Sequence, residues 1–317
     1  MTTLIRSAVG SVSSMGLLKF FKENGFAIAA TDLTDEVAAK YFVGSIHIVP
    51  KAESMDMPAA YEKIINETKA TWILSGPENE IIELSKNKQR FEALGCTLFH
   101  PDEDVLKIIT DKWACYNFLK SIGILCPDTI NFSDYNGTSP FPGKYVIKPK
   151  MGRGGSGIYF DSNPNHLELY QKLVNPANYI IQKYINGEEF TTDLLYDTDG
   201  RLLNLVSRKR LKTDSGISIV GQTVLDEKII EIVTLLSEKL KFIGGNCIQF
   251  IRDAEGKYYL TDINPRLGGG SILSIKSSPS FAANIVNLLN KKGKLLYNSF
   301  DFEPLKMLRY YEEIYEH

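Results

Sequence analysis

The sequence contains few of the residues that build disulfide frameworks and metal centres. Its 317 residues include only four cysteines and four histidines. The cysteines are scattered and form no CxxC pair, so we expect buried free thiols rather than disulfides or a zinc site. The histidines do not cluster either, which argues against a metal site built from imidazole groups. The residues concerned are Cys96, Cys115, Cys126 and Cys247, and His47, His100, His166 and His317.

The chain also lacks an excess of charge of one sign and any long apolar run. Lys and Arg total 36 and Asp and Glu total 38, which gives a net charge of −2, so we expect no nucleic-acid partner. No run approaches the roughly 20 apolar residues that span a bilayer, and the first residues show no apolar core of a signal peptide. With 44% hydrophobic residues, the composition is typical of a globular protein. We therefore expect a cytoplasmic enzyme without a membrane partner.

The first hundred residues alternate short apolar runs with segments of helical periodicity. This alternation predicts parallel βαβ units in an open sheet, and hence a Rossmann-like domain over residues 1–105. The predicted strands are Thr3–Val9, Phe26–Thr31, Ser45–Val49, Thr71–Ser75 and Thr97–Phe99, and the predicted helices are Gly16–Asn24, Ala59–Thr68 and Glu78–Leu94.

The pattern changes after a predicted boundary at Pro101–Thr110. Asp111–Ile122 has helical periodicity, and from Tyr145 onward short strands are separated by turns. Asp-Gly at 199–200 and Glu-Gly at 255–256 indicate hairpins. We therefore expect a mixed α+β region with antiparallel sheets over residues 106–317. The predicted strands are Tyr145–Lys148, Gly157–Phe160, Tyr179–Tyr184, Phe190–Tyr196, Leu202–Arg208, Cys247–Arg252 and Tyr258–Ile263, and the predicted helices are Leu225–Leu240 and Phe281–Leu289.

A glycine-rich loop follows the first of these strands. Val146–Gly157 reads VIKPKMGRGGSG, so that Lys148 ends a strand and the glycines follow it. Glycines let successive backbone N–H groups close around phosphate oxygens, because no Cβ blocks the approach. The loop is not a Walker motif, since the GK[ST] ending is absent. A flexible hairpin turn is the other interpretation of this segment.

Two further stretches carry polar groups on strands. Ile181–Phe190 reads IQKYINGEEF, which by itself is typical of an exposed turn with solvated acids. In the strand before Pro265, Asp262 and Asn264 are two residues apart and therefore point to the same face. Gln249 lies on the preceding strand, across a turn. Oxygen donors that converge from paired strands suit Mg²⁺, whereas the alternative is the polar outer face of a hairpin.

The order and spacing of these three stretches resemble the ATP-grasp superfamily, in particular its carboxylate-phosphorylating branch that includes biotin carboxylase and the large subunit of carbamoyl phosphate synthetase. The resemblance covers nearly the whole chain. It implies an α/β and α+β fold, in which a Rossmann-like preATP-grasp domain (1–105) precedes an ATP-grasp domain (106–317). In the second domain, a lid subdomain (about 115–185) and a C-terminal subdomain (186–317) would hold ATP between them.

The resemblance also implies roles for individual residues. Lys112 and Lys148 would contact the ATP phosphates, Lys148 and Arg266 would serve catalysis, and Glu189 would hydrogen-bond the ribose. The loop that closes over the phosphates would be Gly154, Gly155, Ser156 and Gly157, the hinge that meets adenine would be Gln182, Lys183, Tyr184 and Ile185, and the Mg²⁺ ligands would be Gln249, Asp262 and Asn264.

Two positions depart from the family pattern. Gln182 stands where Glu is common, but its amide oxygen can still accept a hydrogen bond from the adenine amino group. Asp262 stands where Glu is more usual, and the shorter carboxylate leaves open whether one or two Mg²⁺ ions bind. Gly268–Ser271 offers backbone N–H groups for a substrate carboxylate. We assign no role to Arg208–Arg210, for which a solvated face is an equal alternative.

The activity implied is that of an ADP-forming ligase that converts a carboxylate to an acyl phosphate and couples it to an amine or similar nucleophile. Its partners would be these two small molecules, and a homodimer is one assembly that we consider. Two other classes stay open: a non-catalytic ATP-binding regulatory module of the same shape, and a nicotinamide-dependent dehydrogenase. The second is suggested by Gly10, Gly16 and Asp32, which follow the first two strands.

Overall fold

The N-terminal sheet is parallel, as the alternating pattern predicts. The computed structural model describes residues 1–11, 13–138, 140–152, 157–214 and 216–316. Within these residues, five strands pair in the order β3-β2-β1-β4-β5. Ile5 of the central strand lies between Ala29 and Ile73 and is fully buried. The strands are β1 (Thr3–Ser7), β2 (Ala27–Asp32), β3 (Ile46–Ile48), β4 (Trp72–Leu74) and β5 (Thr97–Leu98).

The helices of this domain pack their apolar faces onto both sides of the sheet. They are α1 (Met15–Glu23), α2 (Lys40–Val43), α3 (Met57–Thr68), α4 (Glu78–Lys86) and α5 (Lys88–Ala93). The single helix predicted over Glu78–Leu94 is wrong: it is broken at Asn87, whose side-chain amide donates to the Glu83 carbonyl and whose backbone is not helical. The short α2 was not predicted, and none of its residues is buried.

The segment predicted as a domain boundary is helical. Residues of Pro101–Thr110 form α6 (Glu103–Thr110), and α7 (Lys112–Ser121) follows directly. Asp111 separates the two helices in an extended conformation and caps α7, because its carboxylate accepts hydrogen bonds from the backbone N–H groups of Trp113 and Ala114. The division of the chain at residue 105 stays a prediction.

A small sheet with its own core follows α7. In the described part of this region, four strands pair in the order β6-β9-β7-β8. Phe132, Tyr145, Ile147, Leu167 and Ile181 belong to their core. The strands are β6 (Thr129–Asn131), β7 (Tyr145–Pro149), β8 (Tyr159–Asp161) and β9 (Tyr179–Lys183), the helix is α8 (Leu167–Leu173), and short 3₁₀ turns span Phe132–Asp134, Pro164–His166 and Pro176–Asn178. Neither β6 nor α8 was predicted from the sequence.

The largest sheet is built mainly from antiparallel hairpins. Its described strands pair in the order β14-β13-β10-β11-β12-β15. Both predicted hairpins are confirmed, since Asp199-Gly200 joins β10 to β11 and Glu255-Gly256 joins β13 to β14. The strands are β10 (Glu188–Tyr196), β11 (Leu202–Asp214), β12 (Ile217–Val224), β13 (Gly244–Arg252), β14 (Tyr258–Asn264) and β15 (Lys306–Leu308), and the helices are α9 (Glu227–Lys239), α10 (Ser271–Ser277) and α11 (Pro279–Asn290).

The N-terminal sheet and this large sheet share a continuous apolar core. Side chains of β1, β4 and α1 pack against those of β11, α10 and α11, and the Trp72 indole donates to the Leu289 carbonyl at 2.8 Å.

All four cysteines are described, and each is a buried free thiol, as expected. Among the described residues, no helix combines the length and the apolar character needed to cross a bilayer.

A close backbone approach between the two sheets occurs at Gly244, and it generates a testable prediction. Gly244 has a φ of +68°, and a Cβ there would lie 2.5 Å from the Phe99 carbonyl oxygen. Gly256 has a similar φ of +79°, but a Cβ there would meet nothing within 4 Å. We expect Gly244→Ala to lower the free energy of unfolding by about 2–4 kcal/mol, the sum of backbone strain and overpacking. Gly256→Ala, which adds only the strain, should cost about 1 kcal/mol. Urea denaturation checks both, and equal losses would contradict the close approach.

Candidate active site

The three residues predicted to bind metal lie together on one face of the large sheet. Gln249 of β13 stands directly opposite Asp262 of β14, so their side chains share a face. The Asn264 amide donates to the Asp262 carboxylate at 3.0 Å, and the Arg266 guanidinium donates to the Asn264 side-chain oxygen at 3.4 Å. The register shifts after Gln249, which is a bulge of the kind that re-aims side chains next to binding sites. The structure therefore brings together Gln249, Asp262, Asn264 and Arg266.

Two lysines from different elements face these groups. Lys148 lies in β7 and is only 9% exposed. Burial, and to a smaller extent the Lys112 charge, lower its pKa to about 8, while Asp262 acts in the opposite direction. Lys112 begins α7, and its ammonium group donates to the Gly152 carbonyl at 3.0 Å. The site thus holds two neighbouring cations against a single metal-site carboxylate, which is an arrangement suited to a polyanion.

The structure describes part of the glycine-rich loop, beside these lysines. Gly152 has a φ of +125° and Gly157 a φ of +70°, which are conformations that favour glycine. A Cβ at Gly157 would also lie 2.8 Å from the Tyr179 hydroxyl. The predicted loop residues Gly154, Gly155 and Ser156 lie outside the described residues.

Glu78 is a site residue that the sequence reasoning missed. It begins α4 in the N-terminal domain and is half-buried. Burial, and to a smaller extent the charge of Asp262, raise its pKa to about 7, while Lys112 and Arg266 oppose the shift. A usable signal existed in the sequence, because Glu78 follows a strand of a parallel sheet, and ligands bind at the carboxyl ends of such strands.

The predicted adenine hinge is fixed by hydrogen bonds to neighbouring strands. The Thr129 hydroxyl donates to the Pro127 carbonyl, so its oxygen must accept from the Gln182 amide nitrogen at 2.9 Å. This orients the Gln182 amide. The backbone N–H of Lys183 donates to the Asp128 carbonyl, and that of Tyr184 donates to the Lys144 carbonyl. The backbone N–H groups of two predicted hinge residues are therefore bound within the protein.

Glu189, which the resemblance links to the ribose, lies two strands away from Asp262 on the same sheet face. Its carboxylate forms an ion pair with the Arg210 guanidinium at 3.1 Å, and its side chain is half-exposed. Arg210 follows Lys209, which pairs with Phe190 in the register of β10 with β11. The position of the carboxylate is thus set by a residue of the neighbouring strand.

Arg208 is not on a solvated face, which corrects one of the two interpretations of Arg208–Arg210. This residue is 2% exposed, and its guanidinium binds both carboxylate oxygens of the fully buried Asp193, at 2.6 and 3.1 Å. The hydroxyl groups of Ser271 and Ser274 also donate to this carboxylate. The Asp193–Arg208 pair therefore connects the centre of the large sheet to α10, next to the site.

The Asp32 carboxylate is hydrogen-bonded within the N-terminal domain. Its carboxylate accepts hydrogen bonds from the backbone N–H groups of Gly10 at 2.8 Å and Leu33 at 2.7 Å. In a dinucleotide-binding domain, an acid at this position would instead bind the ribose hydroxyls. The arrangement thus counts against the dehydrogenase alternative.

A small sheet that carries Lys148, a large antiparallel sheet that carries an Asp-x-Asn-Pro-Arg strand, and Lys112 beside them on α7 define a class of nucleotide-binding folds. The chain belongs to the ATP-grasp domain family, whose model matches residues 109–270. The model of the PylC-like N-terminal domain family matches residues 8–99. The predicted superfamily and fold class are thereby confirmed.

The chain is similar to ligases of known activity. It is 26% identical to a D-alanine–D-alanine ligase of Thermotoga petrophila over 50% of this chain, but it spans only 56% of that relative's length. It is 23% identical to a tyramine–L-glutamate ligase of Methanocaldococcus fervens over 78% of this chain and 76% of the relative.

The fold is also that of solved structures. N5-carboxyaminoimidazole synthetase from Staphylococcus aureus superposes with a TM-score of 0.75 over 97% of this chain and 82% of that one, at 17% identity. Coverage this extensive includes the N-terminal sheet as well as the cleft. The architecture of the two domains is therefore shared with that enzyme.

The buried Asp193–Arg208 pair generates a stability prediction. We expect Arg208→Met to lower the free energy of unfolding by about 3–5 kcal/mol, because it leaves a buried carboxylate without its charge partner. The matched control is Glu189→Gln, which weakens a half-exposed ion pair and should cost less than about 1 kcal/mol. Urea denaturation of both variants measures the difference. A small loss for Arg208→Met would show that Asp193 does not depend on this partner.

Proposed function

We propose that the protein is an ATP-dependent ligase that phosphorylates a carboxylate and couples the resulting acyl phosphate to an amine or similar nucleophile, with release of ADP and phosphate. The observation that carries this proposal is the convergence of Lys112, Lys148, Asp262, Asn264 and Arg266 on one cleft. Lys148 comes from the small sheet, Lys112 from α7, Asp262 and Asn264 from the large sheet, and Arg266 from the turn after it. An assembly drawn from separate elements is what positioning and charge neutralisation of a transferring phosphoryl group require.

The oxygen donors Gln249, Asp262 and Asn264 fit Mg²⁺. Among the residues that the structure describes, no group of three or more His, Cys, Asp or Glu side chains is placed to hold a metal. Mg²⁺ does not need such a cage, since it is commonly held by one or two carboxylates together with substrate phosphates. The ion would supply neutralisation of the phosphate charge. Asp262 would be its carboxylate ligand, and Gln249 and Asn264 would contribute amide oxygens.

We assign the nucleotide contacts from the groups that the hinge leaves unused. The amide nitrogen of Gln182 is bound to Thr129, so its oxygen is the group proposed to accept from the adenine amino group. Because the N–H groups of Lys183 and Tyr184 donate to protein carbonyls, the proposed backbone donor to adenine is Ile185. Glu189 would accept from the ribose, and Lys112 and Lys148 would bind the phosphates.

In the proposed mechanism, a carboxylate oxygen attacks the γ-phosphoryl group in line, and ADP leaves. The amine then attacks the acyl carbon, and phosphate leaves. Arg266 stabilises the charge that develops on the transferring group, and Lys148 holds the phosphates from the opposite wall. Glu78, whose pKa is about 7, would hold the ammonium form of the amine on the N-terminal side of the site, and the ammonium would favour the ionised carboxylate. The ammonium then loses a proton to solvent before the amine attacks. Closure of the lid would exclude water, which hydrolyses acyl phosphates.

The similar proteins support this class of reaction. The two curated relatives are named as ligases, one of D-alanine with D-alanine and one of tyramine with L-glutamate, and each pair offers a carboxylate and an amine. A regulatory module would not need Arg266 beside the proposed metal ligands, so the enzyme is favoured over that alternative. The identity of the two substrates, a homodimer and a cytoplasmic location stay predictions from the sequence.

Substrate-dependent ADP release tests the proposal. We expect ADP to form from ATP and Mg²⁺ when the correct carboxylate and amine are present, in a screen of such pairs. Asp262→Ala should lower kcat on the order of 10²-fold or more while nucleotide binding persists. Asp104→Ala is the matched control, because Asp104 lies on α6 with a side chain that is 97% exposed. Near wild-type turnover by Asp262→Ala would show that the metal assignment is wrong.

The lowered pKa of Lys148 generates a second prediction. Phosphate charges beside this ammonium group should raise its pKa from about 8 toward the ordinary value. ATP binding near pH 8 should therefore take up protons, and affinity should fall as the pH rises above 8 because the free lysine then loses its charge. Calorimetry in buffers of different ionisation enthalpy measures the uptake. It should shrink in Lys148→Met and persist in Lys120→Met, whose residue is exposed on α7. Equal proton uptake in both variants would show that Lys148 does not bind the phosphates.

A further inference from the structure

His100 joins the N-terminal sheet to the turn that carries Arg266. It follows β5, is 3% exposed and uses both ring nitrogens. Nε2 is 2.8 Å from the backbone nitrogen of Ser75, which follows β4. Nδ1 is 3.1 Å from the carbonyl oxygen of Pro265, which follows β14. A single imidazole therefore bridges the two domains at the edge of the proposed active site.

The protonation state of this ring follows from its partners. A backbone N–H can only donate, so Nε2 must accept from Ser75 and carries no proton. Burial, together with the Arg6 and Arg266 guanidinium groups, lowers the pKa of His100 to about 3, although the contact with Pro265 opposes the shift. The ring is therefore neutral, its proton is on Nδ1, and Nδ1 donates to the Pro265 carbonyl.

The bond to Pro265 fixes the peptide group that leads into Arg266. The carbonyl of this peptide accepts from His100, and its N–H donates to the Asn264 carbonyl at 2.8 Å. Both ends of the peptide plane are thus held, which sets the direction in which the Arg266 side chain leaves the backbone. That side chain then reaches the Asn264 amide oxygen beside Asp262.

The space around His100 does not suit a ligand. Arg6, Ser75, His100 and Arg266 line a cavity together with apolar side chains. The cavity has room for about one water molecule. The ring therefore has no access to substrate, and any effect it has on the reaction must pass through Pro265.

We propose that His100 is a positioning residue that holds Arg266 in its catalytic orientation through the Pro265 carbonyl. The N-terminal domain is then part of the catalytic apparatus, even though His100 touches no substrate. This inference rests on the proposed function, because it takes Arg266 as the group that stabilises the transferring phosphoryl group.

Two substitutions separate positioning from mere support of the fold. In His100→Asn the side-chain amide nitrogen takes the place of Nδ1, so the donor to Pro265 is kept and the acceptor for Ser75 is lost. In His100→Gln the terminal amide oxygen takes the place of Nε2, so the acceptor is kept and the donor is lost. Each variant loses one of two buried hydrogen bonds, so their thermal midpoints should fall by similar amounts.

The kinetics of the two variants should differ. We expect His100→Gln to lower kcat on the order of 10-fold or more with KM for ATP nearly unchanged, because a displaced Arg266 acts in the transition state. His100→Asn should retain most of the wild-type kcat. Arg266→Ala provides the reference for complete loss of the arginine. Equal losses of kcat in both His100 variants, in step with their stability, would overturn the proposal.

A second readout does not depend on activity. The Arg266 Nε–H resonance in ¹H–¹⁵N spectra can be assigned by its disappearance in Arg266→Lys. It should stay in place in His100→Asn and move or broaden in His100→Gln. An unmoved resonance in both variants would also overturn the proposal. If the wild-type protein released no ADP with any substrate pair, the proposed function would fail, and this comparison would still decide whether His100 positions Arg266.

Discussion

The antiparallel register between β13 and β14 is the constraint on which the rest of the site depends. It places Gln249 opposite Asp262, and a slip of one residue would turn Asp262 and Asn264 toward the core. Two features hold it. The Asp253 carboxylate accepts from the N–H groups of Glu255 and Lys257 and so fixes the turn. On the other face of the sheet, the apolar side chains of these strands are buried against α6, α7 and α9.

Much of this could be predicted from local sequence because the site residues follow strand periodicity. Asp262 and Asn264 alternate with buried Ile263, and Lys148 ends a buried strand. His100 was missed because its importance depends on contacts between domains, which no local pattern records. Glu78 was missed although its place after a strand of a parallel sheet was a usable signal. The strands β6 and β12 were also missed. β6 is only three residues long, and Gly221 and Gln222 interrupt the β-branched run of β12.

The site concentrates uncompensated cations in a chain whose net charge is −2. Arg208 is also buried, but its charge is balanced by Asp193 through two hydrogen bonds. Lys148 has no comparable partner among the described residues. Its pKa falls to about 8 because burial and the neighbouring Lys112 disfavour the charged form. Arg208 and Lys148 therefore differ in whether the fold itself supplies the counter-charge. In the proposed function, a bound polyphosphate would supply it for Lys148.

The distribution of cores determines which part of the site can move. The N-terminal sheet shares its core with α10 and α11 of the large sheet, and Gly244 and His100 add backbone and side-chain contacts across the same boundary. The lid sheet instead packs around a core of its own. In the proposed function, closure on a nucleotide would move the small sheet against the other two units, because these two share a core and the small sheet packs around its own. Lys148 would then move with the small sheet, and the precision of the proposed site would rest on Asp262 and Arg266 in the half that stays in place.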